Sequence, residues 1–281
     1  METRLKKLTQ IMHANGLDAV ALNPGSSLAY LTGLDFHLME RPVIVLFDVD
    51  GEVSIVLPAL EKGKLEALSF PVRAQTYGDN PAEWNQAFTD GFSTFAGRTL
   101  RIGVEPTRMR ILEESYLQQA LPQAVIVHSG PTLAALRLHK DDNELAKMRQ
   151  AAIIAQNALL ATLRIIRPGW TEQQIAGELT IQLSRAGSQG EGFGAIVALG
   201  ENAANPHSTP GKRVLKEGDF LLIMARSLKA MPPTLPVPSL AGKPAKRCAP
   251  SRTWFTRPTA THVKTANPAC RQGRWTVLPA L

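Results

Sequence analysis

Apolar positions recur along this chain with two different periods. Leu5, Leu8, Ile11 and Met12 follow helical spacing, and Asn15-Gly16 supplies a C-terminal stop. Asp18–Leu22 reads as a short strand closed by the turn Asn23-Pro24-Gly25. Pro42–Phe47 and Val53–Leu57 are rich in Val, Ile, Leu and Phe, and Asp50-Gly51 between them is a hairpin signal. The pattern predicts further helices near 59–68, 82–96 and 108–120, and strands near 72–77, 100–105 and 123–128. Strands and helices interleave, which assigns this part to the α/β class.

Pro131–Leu138 reads as a bridge to a second unit. Asp141-x-x-Glu144 has the form of a capping box opening a long helix through about Ile166. Ala151, Ala152, Ile154, Ala155, Ala158 and Leu159 give that helix a broad apolar face, and Arg167-Pro168-Gly169 stops it. Thr171-x-x-Gln174 caps the next helix, which runs to about Arg185. Gly187–Gly194 is glycine-rich, Gly194–Leu199 reads as a strand, Asn202–Gly211 as a loop, and Phe220–Ile223 as the start of a buried strand.

There the pattern ends. The 58 residues from Met224 to Leu281 contain no Asp or Glu, yet hold ten of the 31 Lys and Arg, nine of the 20 Pro and both Cys. Residues 1–223 carry 21 basic against 24 acidic side chains, a net of −3, so the whole-chain charge of +7 belongs to the tail. The basic pI therefore does not argue for a nucleic-acid-binding body. Proline spacing in the tail forbids long helices and central strands and predicts disorder.

No apolar run reaches the roughly 18 residues needed to cross a bilayer, and Met1–Asn15 is too polar for a secretory signal. Cys248 and Cys270 lack metal-site spacing. These features predict a cytoplasmic protein with no membrane partner. Asp48-x-Asp50-Gly51 lacks the later ligands of a calcium loop and reads as a turn. Gly187-x-x-Gly190-x-Gly192 lacks the Lys-Ser/Thr of a phosphate loop, and His13, His37, His128, His139 and His262 have no ligand spacing. Trp254, Phe255 and Trp275 among tail cations would support nonspecific nucleic-acid contact at most, and no specific nucleic acid is expected.

Several stretches carry a resemblance. Leu136-Arg137 to Met148, then Arg167-Pro168-Gly169-Trp170-Thr171, then Ile196-Val197-Ala198-Leu199-Gly200-Glu201-Asn202-Ala203-Ala204-Asn205-Pro206-His207, and finally Gly218-Asp219-Phe220-Leu221-Leu222-Ile223 resemble the catalytic domain of the creatinase, prolidase and aminopeptidase P ("pita-bread") metallopeptidases. Tyr30-Leu31-Thr32-Gly33 is similar to a stretch of that family's N-terminal domain. The resemblance implies a creatinase-like α/β domain over 1–135, the first half of a pita-bread α+β domain over 136–223, and an irregular basic tail over 224–281. Intact relatives would hydrolyse peptides with proline in the second position, using two divalent metals of the Mn, Co or Zn type. Such a pair, about 3.5–4 Å apart, polarises a carbonyl and holds a hydroxide. His207 is the one residue here that matches a functional position, a histidine contacting substrate near the scissile carbonyl. The family's first two metal ligands are Asp residues in D-x-G-A and G-Y-x-S-D-I-T-R-T. Met224-Ala225-Arg226 stands where the first should be, and no carboxylate follows. No cofactor is expected in this chain.

The genetic code offers a reason. Let each new codon take the last base of one codon and the first two of the next. Met224-Ala225 then forces Gly and Met231-Pro232 forces Ala. The steps from Met224 to Ser239 together permit G-A-x-x-x-G-Y-A-S-D-I-T-R-T-F, the missing metal block. Trp275-Thr276 forces Asp within a permitted V-D-R-A-A-R, which resembles a later family helix. The expectation is a family member inactivated by a frameshift after Ile223. Its catalytic sheet would end there with an apolar edge open to aggregation. Three alternatives remain: a working peptidase taking carboxylates from a second chain, a dead regulator forming a homodimer or a dimer with an intact paralogue, and a basic-tail nucleic-acid binder.

Overall fold

A computed structural model describes residues 2–189, 194–205, 207–224, 240–242 and 276–278. The chain divides into two compact units, Met1–Asp141 and Asp142–Leu281.

The first unit is built on a six-stranded mixed sheet. In chain order it contains α1 (Glu2–Ala14), β1 (Ala19–Leu22), α2 (Ser26–Thr32), β2 (Ile44–Asp48), β3 (Val53–Pro58), β4 (Arg73–Tyr77), α3 (Pro81–Gly91), β5 (Arg101–Val104), α4 (Ile111–Ala120), β6 (Val125–His128) and α5 (Gly130–Leu138). The strand order is β4-β3-β2-β1-β5-β6. β1, β2 and β3 form an antiparallel meander, while β4, β5 and β6 join parallel to their neighbours.

Alternation along each strand sends side chains to two cores. Val20, Leu22, Val45, Phe47, Val53, Ile55 and Leu57 meet Leu8 and Met12 of α1, Leu28 and Leu31 of α2, and Leu133 and Leu136 of α5. Ala19, Ala21, Ile44, Leu46 and Val56 meet Trp84, Ala87 and Phe88 of α3, then Phe92 and Phe95, and Leu117 and Ala120 of α4. Covering both faces explains why the central strands read as continuous apolar runs rather than alternating ones.

Local chemistry sets the boundaries. Gly16 closes α1 at φ 60°, a left-handed turn that glycine accepts without a Cβ clash. Asp48 Oδ1 accepts the Asp50 N–H at 3.0 Å and the Glu52 N–H at 2.8 Å, so its carboxylate builds the β2–β3 turn. Asn80 caps α3 by accepting the Ala82 N–H at 3.2 Å, with Pro81 at the first helical position.

Three expectations in this unit need correction. The helix near 59–68 is 3-10, Ala59–Ala67, and buries no residue fully. The segment 82–96 is not one helix: α3 ends at Gly91 and a 3-10 turn, Ser93–Phe95, follows. Pro131–Leu138 is not a bare bridge, since Pro131 lies in the first turn of α5, where proline is favoured.

The second unit contains α6 (Asp142–Ile165), α7 (Glu172–Arg185), β7 (Ile196–Leu199), β8 (Leu221–Met224), β9 (Leu240–Gly242) and β10 (Thr276–Leu278). The helices pack as a hairpin, with α7 against β7. Its core joins Ala158, Leu159 and Leu163 to Ile175, Leu179 and Leu183, and these to Val197, Leu199, Leu221 and Ile223. Thr171 Oγ1 accepts the Gln174 N–H at 3.2 Å and Gln174 Oε1 accepts the Thr171 N–H at 2.9 Å, the reciprocal cap expected from the sequence.

The sheet order is β10-β9-β8-β7, antiparallel throughout. The expected end of the sheet at Ile223 is therefore corrected. Two three-residue strands continue it, and β9 lies inside the order. Each fits a proline-free interval: Leu240–Gly242 lies between Pro238 and Pro244, and Thr276–Leu278 precedes Pro279. Gly190, Gly192, Cys248, Trp254, Phe255, His262, Cys270 and Trp275 lie outside the described residues, as does the rest of the tail read as disordered.

Candidate functional site

The segment joining β7 to β8 carries the histidine singled out by sequence. β7 ends at Leu199, and Gly200 turns the chain at φ 50° into a 3-10 turn, Gly200–Ala204. His207 follows, exposed, and its backbone N–H donates to Asn205 Oδ1 at 3.2 Å. Ser208, buried beside it, donates its N–H to the Asn205 carbonyl at 3.2 Å. Asn205 therefore holds the turn from both its side chain and its backbone.

The return path is laid against the start of α7. The Trp170 carbonyl accepts the Leu215 N–H at 2.8 Å, the Leu215 carbonyl accepts the Gly169 N–H at 2.8 Å, and Thr171 bridges Val214. Glu172 donates its N–H to the Arg213 carbonyl at 3.1 Å, and Gln173 donates to the Gly211 carbonyl at 3.2 Å. The Pro168-Gly169 turn and residues 211–215 thus form a short irregular ladder.

Inside it lies a fully buried carboxylate. Glu172 is 0% exposed. Its Oε1 accepts the Leu199 N–H at 2.8 Å and the Asn202 side-chain amide at 3.0 Å, and its Oε2 accepts the Gly211 N–H at 2.8 Å. A buried charge is tolerable only when such donors replace water. The N-terminus of α7 adds its positive end. Gly211 approaches closely because it has no side chain; a Cβ there would lie 3.3 Å from Glu172 Oε2. The Arg213 guanidinium lies over Gly200, with Nη1 4.0 Å from Glu201 Oε2 at the surface.

Sequence reasoning found His207 and missed Glu172, Asn205 and Arg213. Glu172 did carry a signal, an acidic residue directly after the helix cap. That position is acidic in many helices, which hid its particular use here.

Two divalent ions do not fit this donor set. Met224 ends β8, opposite Ile196 of β7, where the resemblance calls for an Asp. No carboxylate side chain follows Asp219 anywhere in the sequence. Among the described residues, no three His, Cys, Asp or Glu side chains gather closely enough to hold a metal ion. Glu172, the buried acid at the base of the loop, already gives both oxygens to N–H donors. Among the described residues, no helix is long and apolar enough to cross a membrane.

Comparison with known proteins identifies the two units. Residues 4–139 match the creatinase/prolidase N-terminal domain, and residues 146–227 match metallopeptidase family M24. The Bacillus subtilis protein named "Putative dipeptidase YkvY" is 26% identical over 219 residues, covering 78% of this chain and 60% of its own. A dipeptidase from Pyrococcus horikoshii superposes with a TM-score of 0.69 at 27% identity, covering 85% of this chain and 64% of that one. A prolidase from Thermococcus sibiricus superposes with a TM-score of 0.74 at 22% identity, covering 82% and 62%, a likeness of fold. The chain spans about 60% of the length of the curated relatives it matches.

Proposed function

Because this chain carries a creatinase/prolidase N-terminal domain followed by the opening part of a family M24 metallopeptidase domain, we propose that it derives from an Xaa-Pro peptidase and has lost the reaction through a frameshift near Ile223. One observation carries the reading: Met224–Leu281 offers no Asp or Glu, although the M24 match runs to residue 227. The codon constraints from Met224 to Ser239 support it, since the shifted frame permits the missing block. In intact relatives the metals would activate a water against the peptide bond before proline. In this chain His207 keeps its place on the loop without that partner chemistry.

The coding DNA around the Ile223 codon, read in all three frames, tests the proposal directly. A register that spells the ligand block supports it, and three registers that cannot would end it. At the protein level, the purified full chain is expected to bind Mn, Co and Zn weakly and to leave an Xaa-Pro dipeptide intact. Tight binding of two ions with release of the N-terminal residue would overturn the proposal.

A second reading follows from the first unit, which has a whole six-stranded sheet and two cores of its own. Such a unit could persist as a homodimer or pair with an intact paralogue as a catalytically dead regulator. Co-purification of the two chains would support this. Separate elution at micromolar concentration would discard it.

A further inference from the structure

We propose that Glu172 is a positioning residue for His207. That His207 matches a substrate-contacting position of intact relatives rests on the reading above; the link to Glu172 stands on hydrogen bonds independent of it. The loop leaving β7 at Leu199 and returning at Gly211 has both stems fastened to one carboxylate, since both backbone N–H groups donate to it. A third donor, Asn202, comes from within the loop. From Asn202 the connection runs on through hydrogen bonds alone. Its carbonyl accepts the Asn205 N–H at 3.1 Å, and Asn205 Oδ1 accepts the His207 N–H at 3.2 Å.

The anchor is itself held rigidly. Glu172 is the first residue of α7, directly behind the reciprocal cap of Thr171 and Gln174, and its N–H is tied to Arg213. A helix-start carboxylate serving only its own helix would accept N–H groups from the first turn. The three donors here are instead 27, 30 and 39 positions away in sequence. Both carboxylate oxygens of Glu172 serve the segment that carries His207, so the loop geometry is set by a residue outside the loop.

Amide hydrogen exchange of the full chain, read residue by residue, separates positioning from general support of the fold. Glu172→Gln keeps the length of the side chain but presents N–H where an acceptor is needed. It is expected to speed exchange several-fold, up to about tenfold, at Leu199, Asn205, His207 and Gly211. Leu163 and Leu179 in the helix core should stay unchanged. Asn202→Ala leaves the two backbone bonds of Glu172 in place and should speed only Asn205 and His207. Should Glu172→Gln fail to fold, Asn202→Ala decides alone. Unaltered exchange at His207, or uniform acceleration across the second unit, would overturn the proposal. Neither outcome depends on the reading frame or on metal binding, so the two proposals fail separately.

Discussion

Gly91, the last residue of α3, lies so close to β3 that a Cβ added to it would sit 2.4 Å from Val56 Cγ2 and 3.0 Å from Gln75 Cβ of β4. The helix can press onto two strands only because this residue has no side chain. Gly91→Ala therefore has to lift α3 from the sheet and disturb the packing of Phe88 and Phe92, which are both 0% exposed. The expected loss is about 1–3 kcal/mol, seen as a lower urea midpoint with an unchanged slope. An unchanged midpoint would show that α3 yields at no cost.

Ser54 of β3 presents the opposite case. It is fully buried on the strand face that it shares with Val56, and among the described residues its hydroxyl has no hydrogen-bond partner. The residue carries a desolvation penalty without a compensating bond. Ser54→Ala is expected to leave stability unchanged or to raise it by up to about 1 kcal/mol. A clear loss of stability in thermal melts would reveal a partner for the hydroxyl.

Asp48 should make stability depend on acidic pH. Burial raises its carboxyl pKa above 3.8, and the charges of Asp50 and Glu52 push the same way; the N–H groups of Glu52 and Asp50 oppose them. The folded state thus holds this proton more tightly than the unfolded state does. Stability from this group is present at low pH and is lost as pH rises from about 3.8 through the folded-state pKa. Asp48→Asn keeps the acceptor oxygen for both N–H groups and removes the charge. Its advantage over the natural chain should therefore appear as pH rises above about 3.8 and level off once the folded-state carboxyl has ionised. Denaturant melts across that range check the sign.

The start of α7 can be weakened without touching its apolar face. Thr171→Ala removes the hydroxyl that accepts the Gln174 N–H and leaves the Gln174 side chain still bonded to the backbone N–H of residue 171. It should cost about 1 kcal/mol, with Gln174→Ala costing less. Equal losses from the two would show that the glutamine contributes as much as the hydroxyl.

Much of this architecture was legible because the relevant interactions are local. The cap of Thr171 and Gln174, the Asp48–Gly51 turn and the apolar runs of β2 and β3 are each written in a few consecutive residues. What was missed depends on distant partners. α2 has only seven residues, too few for a period to show, and is held by Leu28 and Leu31 against the sheet. α5 looked like a linker because its value lies in Leu133 and Leu136 meeting a core that begins at Leu8. The need for glycine at Gly91 did not show, because Val56, which a Cβ there would meet, is 35 residues away in sequence. At the site, His207 was visible within a linear motif, whereas Glu172 reaches Leu199, Asn202 and Gly211 only once the chain has folded back.

β2 and β3 are buried at every position, with separate sets of helices on their two sides. Under the proposed frameshift the altered message would still specify that whole sandwich, since every described residue of its two cores lies before residue 137. Such a remnant would decay unevenly, with its first half keeping the signature of a working protein long after the second has ceased to resemble one.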